Sequence, residues 1–216
     1  MNTPIFITGI GTAVGKTICS AIVTEALAAD YWKPIQAGFE EGTDAATVAE
    51  CISNTITTIH PETYKLAMPA SPHIAAKAEG VSISMEKIMQ QFRQFNPNKP
   101  LVMEGAGGML VPINETQFVV DMIKAVQAKV ILVSRNYLGS INHSLLTAAY
   151  CKQHQIPVLG WLFNDQYLNY EAEIVAWSGY PAIGSIPPAQ TLSKAFIRTQ
   201  AEQIRPQLVQ LLASNS

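Results

Sequence analysis

A chain of 216 residues, 48% of them hydrophobic, is long enough for one well-packed domain spanning 1–216 and too apolar for a disordered protein. A net charge of -2 with scattered lysines and arginines leaves no basic face and argues against a nucleic-acid partner. No apolar run reaches the roughly 18 residues of a membrane span, and Cys19, Cys51 and Cys151 have no CxxC pairing, so neither a membrane protein, a disulfide framework nor a zinc site is indicated and a cytoplasmic location is expected.

Short apolar runs alternate with segments of helical period, the pattern of a mostly parallel sheet covered by helices on both faces. PIFIT (4–8) reads as the first strand and leads through GIGTAVGKT (9–17) into a helix over 16–28. WKPI (32–35) reads as a second strand, followed by a helix over 44–52. The segment 55–72 reads as a long irregular loop, a length that usually has a function. A helix over 84–94 then precedes the strand LVME (101–104). Helices over 118–127 and 140–153 flank the strand KVILVS (129–134), and the strands PVLGWLFN (157–164) and AIGSIP (182–187) precede a final helix over 191–212.

The stretch GIGTAVGKT is the first with chemistry in it. The phosphate-loop pattern GxxxxGK[ST] places its first glycine five positions before the second. Here that position is Ile10, with Gly9 one step early and Gly11 one step late. Such a loop works because main-chain N–H groups at a tight turn and a helix start converge on an anion. Lys16 would reach the β and γ phosphates, and the Thr17 hydroxyl would ligate Mg²⁺. The alternative is an ordinary strand-to-helix turn that happens to read GKT.

A magnesium site needs hard oxygen donors, commonly a carboxylate at the C-terminal end of a neighbouring strand. Glu104 meets that description, followed by Gly105, Gly107 and Gly108, although a helix-capping acid would read the same way. Asp44 in GTDAAT is a second carboxylate, and an Asp opening a helix is often only an N-cap. Lys33 lies on or at the end of a strand, as a site residue or as an edge lysine with its head in water. His73, His143 and Arg135 gain no mechanism from spacing.

In order and spacing, GIGTAVGKT, YWKPIQAG, SPHIAA, MEGAGGMLVP, LGSINH, GWLFND and GSIP resemble the landmarks of the dethiobiotin synthetase family, over residues 5–188. That family's loop has its first glycine six places before the second, as Gly9 and Gly15 stand here. The resemblance implies an α/β three-layer, P-loop NTPase-like domain that converts 7,8-diaminononanoate, CO₂ and ATP to dethiobiotin, ADP and phosphate. A substrate amine captures CO₂ as a carbamate, the carbamate attacks the γ phosphate, and the second amine closes the ring on the mixed anhydride. Negative charge builds or moves in each step, so positioning and electrostatic stabilisation are the protein's task.

Residue by residue, the resemblance makes Lys16, Lys33 and Thr12 the catalytic set, with Thr12 and Lys33 on the carbamate. Thr17, Asp44 and Glu104 match the ligands of Mg²⁺. Ala13, Val14, Gly15, Lys16, Thr17 and Ile18 match the loop around the ATP phosphates. Asn164 matches the reader of adenine, and Ile186 and Pro187 the loop over its ring. Ala37 and Gly107 match substrate-binding positions. Gly139, Ser140, Ile141 and Asn142, at the start of the helix after KVILVS, match residues that receive the substrate carboxylate from a partner subunit. A homodimer is thereby implied, and charged residues at 14%, against about 25% in ordinary soluble proteins, agree with a covered surface.

The chain departs from the family where Gly11 replaces a frequent Asp, Ala13 a common acid, and Ala37 a frequent hydroxyl. The competing reading is a non-catalytic or switch-type P-loop ATPase of the partition-protein class. Those proteins carry an extra lysine early in the loop, where this chain has Gly11.

Overall fold

The computed structural model describes residues 3–164 and 167–214. In chain order these form β1 (Ile5–Gly9), α1 (Lys16–Leu27), β2 (Asp30–Trp32), β3 (Ile35–Ala37), α2 (Asp44–Cys51), β4 (Ile59–His60), β5 (Tyr64–Leu66), α3 (Pro72–Ala78), α4 (Met85–Phe92), β6 (Leu101–Gly108), α5 (Val119–Ala125), β7 (Lys129–Arg135), α6 (Ser140–Gln153), β8 (Val158–Asn164), α7 (Glu171–Ser178), β9 (Ala182–Ile186) and α8 (Lys194–Ser214). Seven strands pair in parallel in the order β4-β2-β6-β1-β7-β8-β9, and β3 and β5 make a separate parallel pair. This is the three-layer P-loop NTPase-like α/β architecture that the sequence implies.

The apolar strands bury both faces, and the period of two divides each between two cores. Ile5 and Ile7 pack with α1, α2 and α8, while Phe6 faces α5 and its neighbours. The same alternation sends Ile131, Val133 and Leu162 to the first core and Leu132, Trp161 and Phe163 to the second. Each fully buried side chain of this size contributes about 1.5–3 kcal/mol against exposure, so a one-residue slip of register would exchange the two cores.

The path of the chain opens the crevice. From β1 it moves outward to β2 and β4, returns through β6, then crosses β1 to β7 and continues outward on the other side. Connections that diverge in this way leave a cleft beyond the C-terminal ends of the central strands, where ligands of α/β proteins bind.

Several predicted boundaries shift. The strand over 32–35 divides into β2 and β3, because Pro34 has no N–H for a ladder. Its carbonyl instead accepts the amides of Thr63 (2.9 Å) and Tyr64 (3.0 Å), aligning β5 beside β3. The segment 55–72 therefore contains β4 and β5, both too short to show a period. Helices α3 and α7 were also not foreseen; α3 opens with Pro72 in its first turn, a position that tolerates the missing donor. Among the described residues no helix is long and apolar enough to cross a membrane.

Candidate active site

The site starts from the turn between β1 and α1. Gly15, the N-cap of α1, has φ 90°, and no side chain caps the helix. An alanine there would be strained, and its Cβ would overlap the Asn164 amide. With Ala13 also at positive φ, 56°, the loop turns sharply and leaves the helix-start amides without intrahelical partners. That is an anion cradle. Lys16 Nζ donates to the Gly11 carbonyl at 2.9 Å, so its side chain curls back over the loop. Burial lowers its pKa below the ordinary lysine value, opposed by the Glu104 carboxylate.

A polar cluster gathers beside this loop from the end of α1 nearest it, the residue after β2, the start of α2 and β6. Thr17 Oγ1 lies 2.6 Å from Asp44 Oδ1 and 3.0 Å from Glu104 Oε1. Lys33 Nζ pairs with Asp44 Oδ2 and lies 3.1 Å from Glu104 Oε1. Burial acts to lower the Lys33 pKa, but Glu104 and Asp44 outweigh it and hold the ammonium above the ordinary value. Burial likewise acts to raise Asp44, and Lys33 outweighs it, keeping the carboxyl below the usual range.

Three of the plainer alternatives do not match the geometry. Asp44 is not the N-cap: Thr43 is, accepting the Ala46 amide at 3.1 Å, and Asp44 begins the helix itself. Glu104 caps no helix; it lies within β6 and is 1% exposed. Lys33, 6% exposed, is not an edge lysine with its head in water.

A cavity of about 520 Å³ brings Thr12, Ala13, Gly15, Lys16, Thr17, Lys33, Ala37, Asp44, Glu104 and Gly107 to one surface, with Pro69–Pro72, Ala106 and Val111 completing the wall. Val14 is buried behind the loop, where its carbonyl accepts the Asn164 amide at 3.1 Å. Asn164 ends β8 in register with Ile186 of β9, so Ile186 and the half-buried Pro187 stand beside it. Ile18 is half-buried in the first turn of α1. Gly139–Asn142 lie apart from this wall. Gly139 caps α6 at φ 100°, the Ser140 hydroxyl is buried against Tyr170 Oη at 2.6 Å, and Asn142 is exposed.

Two residues were missed by sequence reasoning. Tyr31 Oη donates to Glu104 Oε2 at 2.9 Å, and Gln36 accepts the Asp44 amide at 3.2 Å while donating to the Gly38 carbonyl at 2.8 Å. Both flank the strand predicted over 32–35, and their roles depend on which strand lies beside which.

A family model described as an AAA domain matches residues 3–195. The chain is 46% identical over 201 residues to the ATP-dependent dethiobiotin synthetase BioD of Cytophaga hutchinsonii, covering 92% of this chain and 95% of that protein. It is 41% identical to the protein of the same name from Christiangramia forsetii, covering 95% and 98%. Among solved structures, pNOB8 ParA bound to nonspecific DNA superposes with TM-score 0.61 at 10% identity over 100% of both chains. A ParA family ATPase from Chlorobium tepidum gives 0.57 at 12% identity, covering 99% of this chain and 98% of that one. At such identities the two structures share the fold alone.

Proposed function

The chain belongs to the ATP-dependent dethiobiotin synthetase family, ligases of biotin biosynthesis, and from that premise we propose that its crevice joins CO₂ to 7,8-diaminononanoate and closes the ring at the expense of ATP. The observation that carries this reading is the convergence of Lys16, Lys33, Thr17, Asp44 and Glu104 on one cavity beside an anion cradle. A partition-class switch draws its extra lysine from the early part of the loop, where this chain has Gly11; here the second lysine, Lys33, reaches the same cavity from beyond the end of β2.

In this reading the loop amides and Lys16 hold the β and γ phosphates. The carbamate of the substrate, formed when one amine adds to CO₂ and loses a proton, lies against Thr12 and Lys33. Its oxygen attacks the γ phosphorus and ADP leaves. The second amine then attacks the carbamoyl carbon, loses a proton, and inorganic phosphate departs as the ring closes. A compact ammonium such as Lys33 can follow the negative charge through both displacements. Asn164 reads the adenine edge through its amide, with Ile186 and Pro187 beside the ring; Ala37 and Gly107 line the substrate side.

The donor set also fits Mg²⁺. Both carboxylates lie within hydrogen-bond distance of the Thr17 hydroxyl, all are hard oxygens, and Mg²⁺ characteristically uses one or two carboxylates with phosphate oxygens and water. Thr17, Asp44 and Glu104 would hold it, and when bound it would neutralise charge on the transferring phosphoryl group. The N-terminus of α6, with Gly139, Ser140, Ile141 and Asn142, would receive the substrate carboxylate across a homodimer interface. Leu138, 97% exposed beside it, supports a covered surface there. The single domain of residues 1–216 would work in the cytoplasm.

The test is direct: incubate the protein with ATP, Mg²⁺, bicarbonate and diaminononanoate and follow dethiobiotin by mass. Dethiobiotin and ADP in equal amounts support the reading; ATP hydrolysis without dethiobiotin overturns it.

A further inference from the structure

Glu104 divides its two oxygens between different environments. Oε1 faces the site and accepts Thr17 Oγ1 at 3.0 Å and Lys33 Nζ at 3.1 Å. Oε2 faces the core and accepts the Tyr31 phenol at 2.9 Å. The division follows from strand register: Tyr31 of β2 is the Cα partner of Val102 of β6, and Glu104, two residues on, projects from the same face as Val102. Tyr31 is 0% and Glu104 1% exposed, so no solvent competes for Oε2, and releasing it would leave a buried oxygen without a donor.

We infer that Tyr31 is a positioning residue for metal choice, holding Glu104 to one-oxygen coordination and so favouring Mg²⁺ over Ca²⁺. This rests on the reading of Thr17, Asp44 and Glu104 as metal donors. Mg²⁺ demands a small octahedron with donors at about 2.0–2.1 Å, whereas Ca²⁺ takes six to eight oxygens at about 2.3–2.6 Å and commonly claims both oxygens of a carboxylate. With Oε2 tied into the core, that two-oxygen mode is closed.

The test uses the full chain with a non-hydrolysable ATP analogue, reading Mn²⁺ by electron paramagnetic resonance and displacing it with Mg²⁺ or Ca²⁺. Tyr31→Phe should narrow the Mg²⁺-to-Ca²⁺ affinity ratio about tenfold, the size expected when a ligand loses its supporting hydrogen bond. A merely structural role would lower the melting temperature and leave the ratio of the folded protein unchanged; that result overturns the inference. Should Tyr31→Phe not fold, infrared spectra of the unsubstituted protein decide. Glu104 carboxylate bands, assigned by difference against Glu104→Gln, should show the wide one-oxygen separation with Mg²⁺, and a two-oxygen pattern overturns the inference. If Glu104→Gln leaves Mg²⁺ affinity untouched, the assignment of the donors falls as well; if it weakens Mg²⁺ while Tyr31→Phe leaves the ratio alone, only the role of Tyr31 falls.

Discussion

Lys33 Nζ, 3.1 Å from Glu104 Oε1 and paired also with Asp44 Oδ2, stands between the two carboxylates proposed to hold a divalent cation. A divalent cation at the same oxygens would compete with the ammonium for them. In the proposed reading, Mg²⁺ binding would loosen the Lys33 ammonium from the carboxylates and leave it free to meet a substrate anion in the cavity.

Lys33→Gln removes one partner from a buried ion-pair group. Asp44 remains partly exposed, at 28% of its side chain, so the cost sits near the low end of the range for such losses, about 3 kcal/mol. In a protein of this size that lowers Tm by roughly 6–12 °C. Because a divalent cation can replace the missing charge, added Mg²⁺ should recover much of the loss. Calorimetry with and without Mg²⁺ checks this, and equal melting temperatures in the two buffers would contradict it. In turnover, the same variant should lose kcat more than ATP affinity.

Lys16→Ala should leave circular dichroism unchanged and reduce ADP formation by at least about a hundredfold, the scale of losing one electrostatic contact to the reacting group. The Lys16 contact to the Gly11 carbonyl, at 2.9 Å, is within the loop. Its removal costs the fold little. ADP release near the unsubstituted rate would remove Lys16 from the mechanism.

Gly15→Ala tests the cradle from the backbone. The residue has φ 90°, and the new Cβ would run into the Asn164 amide. Strain of about 1–3 kcal/mol is expected, with ATP affinity falling at least about tenfold as the loop shifts. The double variant Gly15→Ala/Asn164→Ala should recover part of the stability, since the overlap is removed, but none of the strain from φ. Isothermal titration with an ATP analogue and thermal melts separate the two effects.

The parts of this molecule that could be read from its sequence are those whose information is local. β1, the loop and α1 are contiguous, and Lys16 and Thr17 are placed by the glycines around them. β6, β7 and β8 announce themselves because both faces are buried and their apolar runs are unbroken. Lys33 and Glu104, 71 positions apart, meet only because β2 and β6 are neighbours in the sheet. Position alone could not pair them; the family resemblance did. Tyr31 carried no signal, since a buried tyrosine in a strand is ordinary until the register sets its hydroxyl beside a carboxylate. α3 and the pair β4 and β5 were hidden by their shortness.

At the opposite end of β2, Asp30 joins three segments: its carboxylate lies 2.5 Å from Lys99 Nζ and accepts the Thr58 amide at 2.6 Å. Burial acts to raise the Asp30 pKa, but Lys99 and Thr58 outweigh it and hold the carboxyl below its ordinary value. The ionised form is thus favoured in the folded state. Its contribution is complete above the unfolded aspartate pKa of about 3.9 and is lost as pH falls through the lower folded value. Asp30→Asn should reduce stability near neutral pH by about 1–3 kcal/mol and flatten the acid limb below about pH 4. Denaturant melts at a series of pH values check the slope; an unchanged acid limb would mean that Asp30 is not held by these partners.

Leu138 tests the proposed interface. It is 97% exposed immediately before the N-cap of α6, and Leu146 on that helix is 61% exposed. Leu146 also lines a depression of about 290 Å³ with Leu110, Gly11 and Thr12, so apolar surface extends from the helix to the phosphate loop. Water disfavours such surface, and a second subunit would cover it. A carboxylate in its place would have to be desolvated on association, so Leu138→Asp should raise the dimer dissociation constant at least about tenfold, or about 1.4 kcal/mol. ATP affinity should stay within about twofold, because the cradle belongs to one chain, while KM for diaminononanoate should rise as the partner's helix start is withdrawn. Sedimentation velocity over a concentration series, alongside initial rates, measures both. A monomer that turns over at the full rate would show that one chain holds the whole site.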